Sequence, residues 1–249
     1  FDPVALTVGR LRILQPTLEP PAGSELPAIP LTWLVSQQGG KWVLSVTLPL
    51  GDWTGWILDP TLTLQPGSAD GIDSFFKTNA PDTNNGTYSW LYVGESTSFS
   101  AVYRSCIQFN LTTLPSSAII SSATLSLYCT DDYSTNARTF RVYRQKRVWT
   151  ETGVTWNKYD GINDWQTAGG FGASDCEQTS IGSRDFTATE TLNEFKAFAL
   201  TPTTKAALDL GNGWLIKADA EISDMYEFVS SDHATAAYRP KLVVEYTLP

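Results

Sequence analysis

The sequence predicts an all-β fold, an antiparallel β-sandwich (jelly roll) with one short helix, preceded by a smaller β-rich N-terminal segment. Three observations carry this prediction. Apolar and polar residues alternate with a period of two along most of the chain, as in strands with one buried face. Clusters of Gly, Pro, Asn and Asp, such as residues 79–86 and 159–165, interrupt these runs as turns do. Aromatic residues, which favour strands, make up 12% of the 249 residues.

Residues 1–66 are predicted to form the N-terminal β-segment. The alternation within 4–14 predicts a first strand, and a Pro-rich stretch at 16–30 follows it. This strand is either an edge strand of the chain's own sheet or a strand that pairs with a neighbouring subunit, and the sequence leaves both open. Two more strand-like runs lie at 41–50 and 53–58.

The predicted sandwich spans residues 67–249, after a predicted linker at 59–71. Strands are predicted over 123–129, 138–149, 191–200 and 241–246. A helix is predicted over 202–210, because Thr201 suits the N-cap and Pro202 the first helical position.

Charge narrows the class of partner. The chain has 17 Lys and Arg against 26 Asp and Glu, a net charge of −9, which repels nucleic acid and anionic membranes. It has no apolar run of about 18 residues, so no membrane-inserted helix is predicted. The expected partners are therefore a polysaccharide or other copies of the chain. Because the chain starts at Phe1 rather than at Met, a processed piece of a longer product is expected.

The cysteines Cys106, Cys129 and Cys176 have no CxxC spacing, which argues against a metal or redox site. Cys106 and Cys129 lie in strand-like runs. They are either buried free thiols or partners in a cross-strand disulfide.

The chain is predicted not to be an enzyme. Its single histidine, His233, follows Asp232 directly, and adjacent residues on a strand point to opposite sides. The sequence has no nucleophile elbow, P-loop, dinucleotide fingerprint or HExxH motif.

Aromatic side chains beside arginines predict a sugar-binding surface, because rings stack on sugar faces and guanidinium groups donate to hydroxyls. The candidate ligand-binding residues are Trp90, Tyr92, Tyr103, Arg104, Arg138, Arg141, Tyr159 and Trp165. Trp149 and Trp156 are instead expected in the core.

Acidic residues on turns predict one structural calcium ion, the cofactor expected for this chain. The candidate ligands are Asp70, Asp73, Asp160 and Asp164.

Several stretches occur in an order and spacing typical of one family. They are DSFFKTNAPDTNNGTYSWLYVG (73–94), FNLTTLP (109–115), ATLSLY (123–128), WTETGVTW (149–156), TAGG (167–170), GWLIKA (213–218) and SSDHATAAYRPKLVVEY (230–246). Together they resemble the DNRLRE-type carbohydrate-binding module family, a jelly-roll domain related to the repeats of disaggregatase-like surface proteins, over about residues 70–247. The resemblance implies a secreted, cell-surface or virion-surface location. Residues 41–63 resemble the region that precedes this domain in Rhs-type and wall-associated proteins.

Two functional hypotheses stay open. The first is an extracellular adhesion module that binds surface or matrix polysaccharide as part of a larger protein. The second is a structural subunit of an extracellular filament, virion or toxin shell that assembles through its N-terminal strand.

Overall fold

The computed structural model shows a chain built almost entirely of strands. It describes residues 5–8, 11–14, 17–19, 26–38, 41–52, 54, 57–59, 61–133 and 136–247. The strands are β1 (Ala5–Val8), β2 (Leu11–Leu14), β3 (Thr17–Glu19), β4 (Ile29–Pro30), β5 (Trp33–Gln38), β6 (Lys41–Val46), β7 (Ile57–Asp59), β8 (Thr61–Leu64), β9 (Ile72–Lys77), β10 (Trp90–Ser96), β11 (Ala101–Gln108), β12 (Ile119–Asp132), β13 (Arg138–Arg144), β14 (Gly182–Phe186), β15 (Glu194–Leu200), β16 (Trp214–Ala218), β17 (Tyr226–Val229) and β18 (Lys241–Thr247). The helices are α1 (Lys205–Leu208) and a 3₁₀ turn, η1 (Ala236–Tyr238).

Eight of the strands form a closed antiparallel circuit. Its order is β12-β15-β14-β13-β16-β11-β10-β17, and β17 pairs back with β12. The predicted all-β antiparallel sandwich is therefore confirmed, with its sides closed as in a barrel. β9 pairs with β11 and β18 pairs with β12 in addition to this circuit.

The main core lies inside this circuit and follows the predicted period of two. On β12, Leu125 and Leu127 point inward, and on β16 Trp214 and Ile216 do the same. Each fully buried side chain of this kind stabilises the fold by about 1.5–3 kcal/mol. A second cluster packs on the outer side of β9, β11 and β16 beneath the loops between β13 and β14, and contains Trp149, as predicted.

The N-terminal strands connect to this body through β8. β8 pairs with β18, β2 pairs with β8, and β1 pairs with β2, all within the chain. The predicted linker at 59–71 is thus wrong over Thr61–Leu64, because this stretch alternates and buries Leu62 in the main core. The other N-terminal strands form two small sheets, β4-β3-β7 and β5-β6.

The predicted helix exists but is shorter than 202–210. The Thr203 carbonyl accepts a hydrogen bond from the Ile120 N–H, and Thr204 bridges to Ile119, so the backbone stays extended there. Thr204 then becomes the N-cap, and its hydroxyl accepts from the Ala207 N–H. No helix in the described part of the chain is both long and apolar enough to cross a bilayer.

The three cysteines are free and buried. Cys106 belongs to the second cluster and Cys129 to the main core, so the disulfide alternative does not form. Burial raises the pKa of Cys129 and of Cys176 to about 12, which keeps both thiols protonated.

Candidate functional site

An aromatic cleft is formed by residues of β9, β10 and β11 and of the loops beside them, on the face of β9 and β11 opposite to the second cluster. Its volume is about 350 Å³. It is lined by Phe75, Lys77, Asn85, Tyr88, Tyr92, Phe99, Tyr103, Tyr133 and Met225.

Strand geometry creates the floor of this aromatic cleft. On β10, Leu91 and Val93 enter the main core, so Tyr92 points outward. The Tyr92 ring lies 5.6 Å from the Tyr103 ring, centroid to centroid. It also meets the Phe75 ring edge-on at 4.9 Å. These three rings form a fixed apolar surface outside the main core.

The walls carry the exposed rings. Tyr88 is 50% exposed, Phe99 53% and Tyr133 41%. In the described ranges, only one other aromatic ring, that of Tyr238, is exposed to this degree. Exposed apolar surface gathered in one concave place is typical of a binding site rather than of random surface composition.

Polar groups sit at fixed positions around the aromatic cleft. Asn85 Nδ2 donates to the Phe75 carbonyl oxygen at 3.1 Å, which holds the loop before β10 against β9. Lys77 Nζ lies 5.8 Å from the centroid of the Tyr103 ring and brings one positive charge. The Tyr92 hydroxyl donates to Glu227 Oε2 at 2.7 Å.

The hydroxyls of Tyr92, Tyr103 and Tyr133 remain neutral. Burial raises the pKa of Tyr92 and of Tyr103. For Tyr133, burial and the hydrogen bond to Asp131 raise the pKa to about 12. The aromatic cleft therefore offers flat apolar faces, neutral hydroxyls and one ammonium group. This set complements a ring molecule that has C–H faces and a hydroxyl-rich edge.

The structure brings only some of the predicted ligand-binding residues to this cleft. Tyr92 and Tyr103 line it. Trp90 lies beside it, with its ring 5.9 Å from that of Tyr88 and 6.2 Å from that of His233.

Arg104 points away from the aromatic cleft, because it follows Tyr103 on β11 and faces the opposite side. Its guanidinium group forms two hydrogen bonds with Glu221, at 2.7 and 2.9 Å, and a third with the Gly169 carbonyl oxygen at 2.8 Å. It also stacks over the Trp156 ring at 4.9 Å. The structure therefore places the Arg104 guanidinium group between Glu221, Gly169 and Trp156, outside the aromatic cleft.

The other four predicted ligand residues are also placed elsewhere. Arg138 Nε lies 3.3 Å from Asp224 Oδ2, and Arg141 is within 3.9 Å of an Asp219 oxygen. Trp165 is 5% exposed, and its Nε1 donates to the Thr155 carbonyl oxygen. The Tyr159 ring packs 5.5 Å from Trp165. None of these four side chains lines the aromatic cleft with Tyr103.

Several lining residues of the aromatic cleft were not predicted. Tyr88 had a visible signal, since it alternates with Trp90 and Tyr92 at a spacing of two. Phe99 lies in a turn and Tyr133 directly follows the end of β12, and periodicity carries no information at either position. A larger cleft, of about 500 Å³, lies beside α1, but its single aromatic lining residue, Phe109, is buried.

The predicted calcium ligands do not come together. Asp70 lies on an exposed turn. The Asp160 carboxylate accepts the N–H groups of Ile162 and Asn163 and so serves its own loop. Asp164 Oδ1 forms an ion pair with Lys158 Nζ at 2.8 Å.

Asp73 has different neighbours from those predicted. The Asp73 carboxylate lies near the carboxylates of Glu151 and Asp232, and one oxygen atom of each lies within 4.8 Å of the other two. The sequence places these acids far apart, and only the fold joins them.

Comparison with known proteins gives one family. A profile of the disaggregatase related repeat domain matches residues 73–244. The matched range contains every residue that lines the aromatic cleft and all three grouped carboxylates. No curated protein matches the chain.

Proposed function

The chain belongs to the disaggregatase related repeat domain family, and from this premise we propose that it is a non-catalytic extracellular adhesion module that binds surface or matrix polysaccharide in its aromatic cleft. The observation that carries the proposal is the concentration of exposed rings, Tyr88, Phe99 and Tyr133, around one concave surface. A volume of about 350 Å³ fits a short stretch of a sugar chain rather than a folded partner.

Charge supports a neutral or weakly anionic polysaccharide. Lys77 is the single cationic residue in the lining of the cleft. The carboxylate of Glu227 is also near, because it accepts a hydrogen bond from the hydroxyl of the lining residue Tyr92. The whole chain has a net charge of −9. A densely anionic polymer would meet repulsion over most of this surface.

The test is affinity electrophoresis of the full chain and its variants against a panel of neutral and uronate-containing polysaccharides. Tyr88→Ala and Phe99→Ala each remove one exposed wall of the aromatic cleft. If a sugar covers about 100 Å² of one ring, removal of that ring costs about 2.5 kcal/mol of binding free energy. Each variant is therefore expected to weaken retention by at least about tenfold.

Tyr238→Ala is the matched control, because Tyr238 is also an exposed ring, stacks on Tyr128 and does not line the aromatic cleft. It is expected to keep wild-type retention. The proposal fails if no polysaccharide retards the wild-type chain, or if Tyr238→Ala weakens retention as much as Tyr88→Ala does.

A second candidate function is assembly through the N-terminal strands. One observation favours it: β1 stands at the end of the thirteen-stranded sheet and pairs with β2 alone among the described strands. Its other edge is a template for a strand of another chain.

A further inference from the structure

Three carboxylates from distant parts of the chain meet at one end of β9. Asp73 belongs to β9, Glu151 lies in the loop after β13, and Asp232 lies in the loop after β17. Asp73 is only 2% exposed. Three acids so close together repel each other strongly in a buried site unless something compensates their charge.

The hydrogen bonds of the cluster satisfy only part of it. Glu151 Oε1 accepts the Asp73 N–H at 3.0 Å, and Asp73 Oδ2 accepts the Ser231 N–H at 2.8 Å. Asp73 Oδ1 and the Ser231 hydroxyl are both buried and form no hydrogen bond of regular geometry, although the hydroxyl lies close enough to Asp73 to lower its pKa. In the part of the chain that the structure describes, no Lys or Arg forms an ion pair with Asp73, Glu151 or Asp232. A buried oxygen left without a donor is costly, and a bound cation would remove that cost.

The spacing of the cluster matches a metal centre. Calcium binds oxygens at about 2.4 Å, so two ligands on opposite sides of the ion lie about 4.8 Å apart. The three carboxylates have oxygens within that limit, and the cluster contains neither His nor Cys. An all-oxygen set favours calcium over zinc.

We propose that Asp73, Glu151 and Asp232 bind one calcium ion, with the Ser231 hydroxyl as a further oxygen ligand. The ion takes up the unpartnered Asp73 Oδ1 and neutralises the repulsion among the three acids. It fastens β9 to the two loops that supply Glu151 and Asp232. This inference does not rest on polysaccharide binding.

The electrostatics of the three acids agree with this assignment. Burial raises the pKa of Asp73 to about 7, against the lowering effect of the Ser231 N–H and hydroxyl. Burial also raises the pKa of Glu151 and of Asp232. All three shifts mean that the metal-free fold disfavours these negative charges, which a bound cation offsets.

The position of Glu151 is set by the loop before β10. Asn84 Nδ2 donates to the Glu151 carbonyl oxygen at 2.6 Å. Gly86 packs so closely that a Cβ atom there would lie 2.1 Å from the same oxygen. The loop thus holds Glu151 against β9, so the ligand set is built by packing rather than by loop composition.

The test uses the full chain, stripped with a chelator and then titrated with calcium chloride while thermal unfolding is followed. A ligand that binds only the folded state raises the Tm, and at about 10 mM calcium we expect a rise of about 5 °C. Isothermal titration with calcium chloride alone should give one site per chain.

Asp73→Asn is the decisive variant and Asp164→Asn is its matched control. Asp73→Asn removes a buried charge, so it should fold at least as stably as the metal-free wild type and lose the calcium response. Asp164→Asn makes the same chemical change at the exposed Lys158 ion pair and should keep the full response.

Glu151→Gln and Asp232→Asn, in less buried positions, repeat the test if Asp73→Asn does not fold. The proposal is overturned if calcium leaves the wild-type Tm unchanged. In that case a proton on the cluster, rather than a cation, would relieve the repulsion among the three acids. It is overturned equally if Asp164→Asn abolishes the response, or if all three cluster variants keep it.

Discussion

Glu190 is the acceptor at the centre of a buried charged cluster on the sandwich. Lys196 Nζ donates to Glu190 Oε2 and to Glu194 Oε1, each at 2.8 Å, and Arg184 donates to Glu190 at 3.2 Å. The Thr187 N–H donates to Glu190 Oε1 at 2.8 Å. Burial acts to raise the pKa of Glu190, but the hydrogen bonds from Lys196 and Thr187 outweigh it and lower the pKa to about 2.

This lowered pKa predicts a loss of stability in acid. In the unfolded chain Glu190 titrates near its ordinary value of 4.5, so between about pH 4.5 and 2 the unfolded state binds more protons than the folded one. The stabilisation from Glu190 is therefore complete above this window and lost as the pH falls through it. Urea unfolding of Glu190→Gln should show about 2 kcal/mol less stability than wild type at pH 7, with the difference shrinking toward pH 2.

Glu194→Gln is the control for this prediction. Its carboxylate is half exposed, and the variant leaves Glu190 with its donors. It should keep the wild-type pH profile. Parallel curves for wild type and Glu190→Gln would contradict the assigned role of Glu190.

Residue types alone identified some of the aromatic cleft but could not identify directions. Tyr92 and Tyr103 were predicted, because aromatic residues in strands stood out. Arg104 was also predicted as a ligand residue, yet its partner Glu221 is 117 positions away in the sequence. Their adjacency on one strand already places Tyr103 and Arg104 on opposite faces, but only the strand pairing shows which face carries the aromatic cleft. The grouping of Asp73 with Glu151 and Asp232 was invisible for the same reason.

Elements with a clear period were the most predictable part of the fold. The predicted strands at 123–129, 191–200 and 241–246 are confirmed by β12, β15 and β18. The helix was misjudged at its start, because a tertiary contact with the beginning of β12 keeps residues 203–204 extended. Propensity gives the helix, but pairing decides where it begins.

The strand β8 gives a prediction about the domain boundary. The predicted boundary at 66/67 would remove β8 from the sandwich, although β8 pairs with β18 over four positions and contributes Leu62 to the main core. Losing that buried leucine and its neighbours is expected to cost a few kcal/mol. A chain of residues 67–249 should therefore melt about 5–10 °C below a chain of residues 61–249.

Differential scanning fluorimetry of the two truncated chains beside the full chain is the measurement. The chain of residues 61–249 is the matched control, because it also lacks β1 and β2 but keeps β8. Equal melting temperatures for the two truncated chains would place the boundary at 66/67 after all.

At the scale of the whole molecule, closure of the eight-strand circuit explains where function concentrates. The circuit buries its own edges, so the surface left for partners consists of sheet faces, loops and the strands added outside it. The aromatic cleft lies on such a face, and the three carboxylates lie where β9 meets two loops. The local sequence identifies some rings of the aromatic cleft but not the grouping of either set of residues, because both groupings depend on which strands pair.

The N-terminal strands decide whether whole molecules associate. Within one chain, β2 pairs with β8 across the connection between Leu14 and Thr61. The same contacts would form if β1 and β2 of one chain paired with β8 of a neighbouring chain. Which arrangement forms depends on the effective concentration of the tethered β2 at β8 of its own chain, compared with the concentration of other chains. A connection of this length gives an effective concentration on the order of 0.1–1 mM.

Pairing within the chain should therefore dominate at ordinary concentrations. At about 10 µM chain, it is favoured about 10- to 100-fold over exchange between chains, so native mass spectrometry should show a monomer. Association should appear only as the concentration approaches about 1 mM. A stable oligomer at about 1 µM that disappears on deletion of residues 1–15 would contradict this and would establish strand donation between subunits. An oligomer that survives the deletion would instead exclude these strands as the assembly contact, because neither β1 nor β2 would be present to form it.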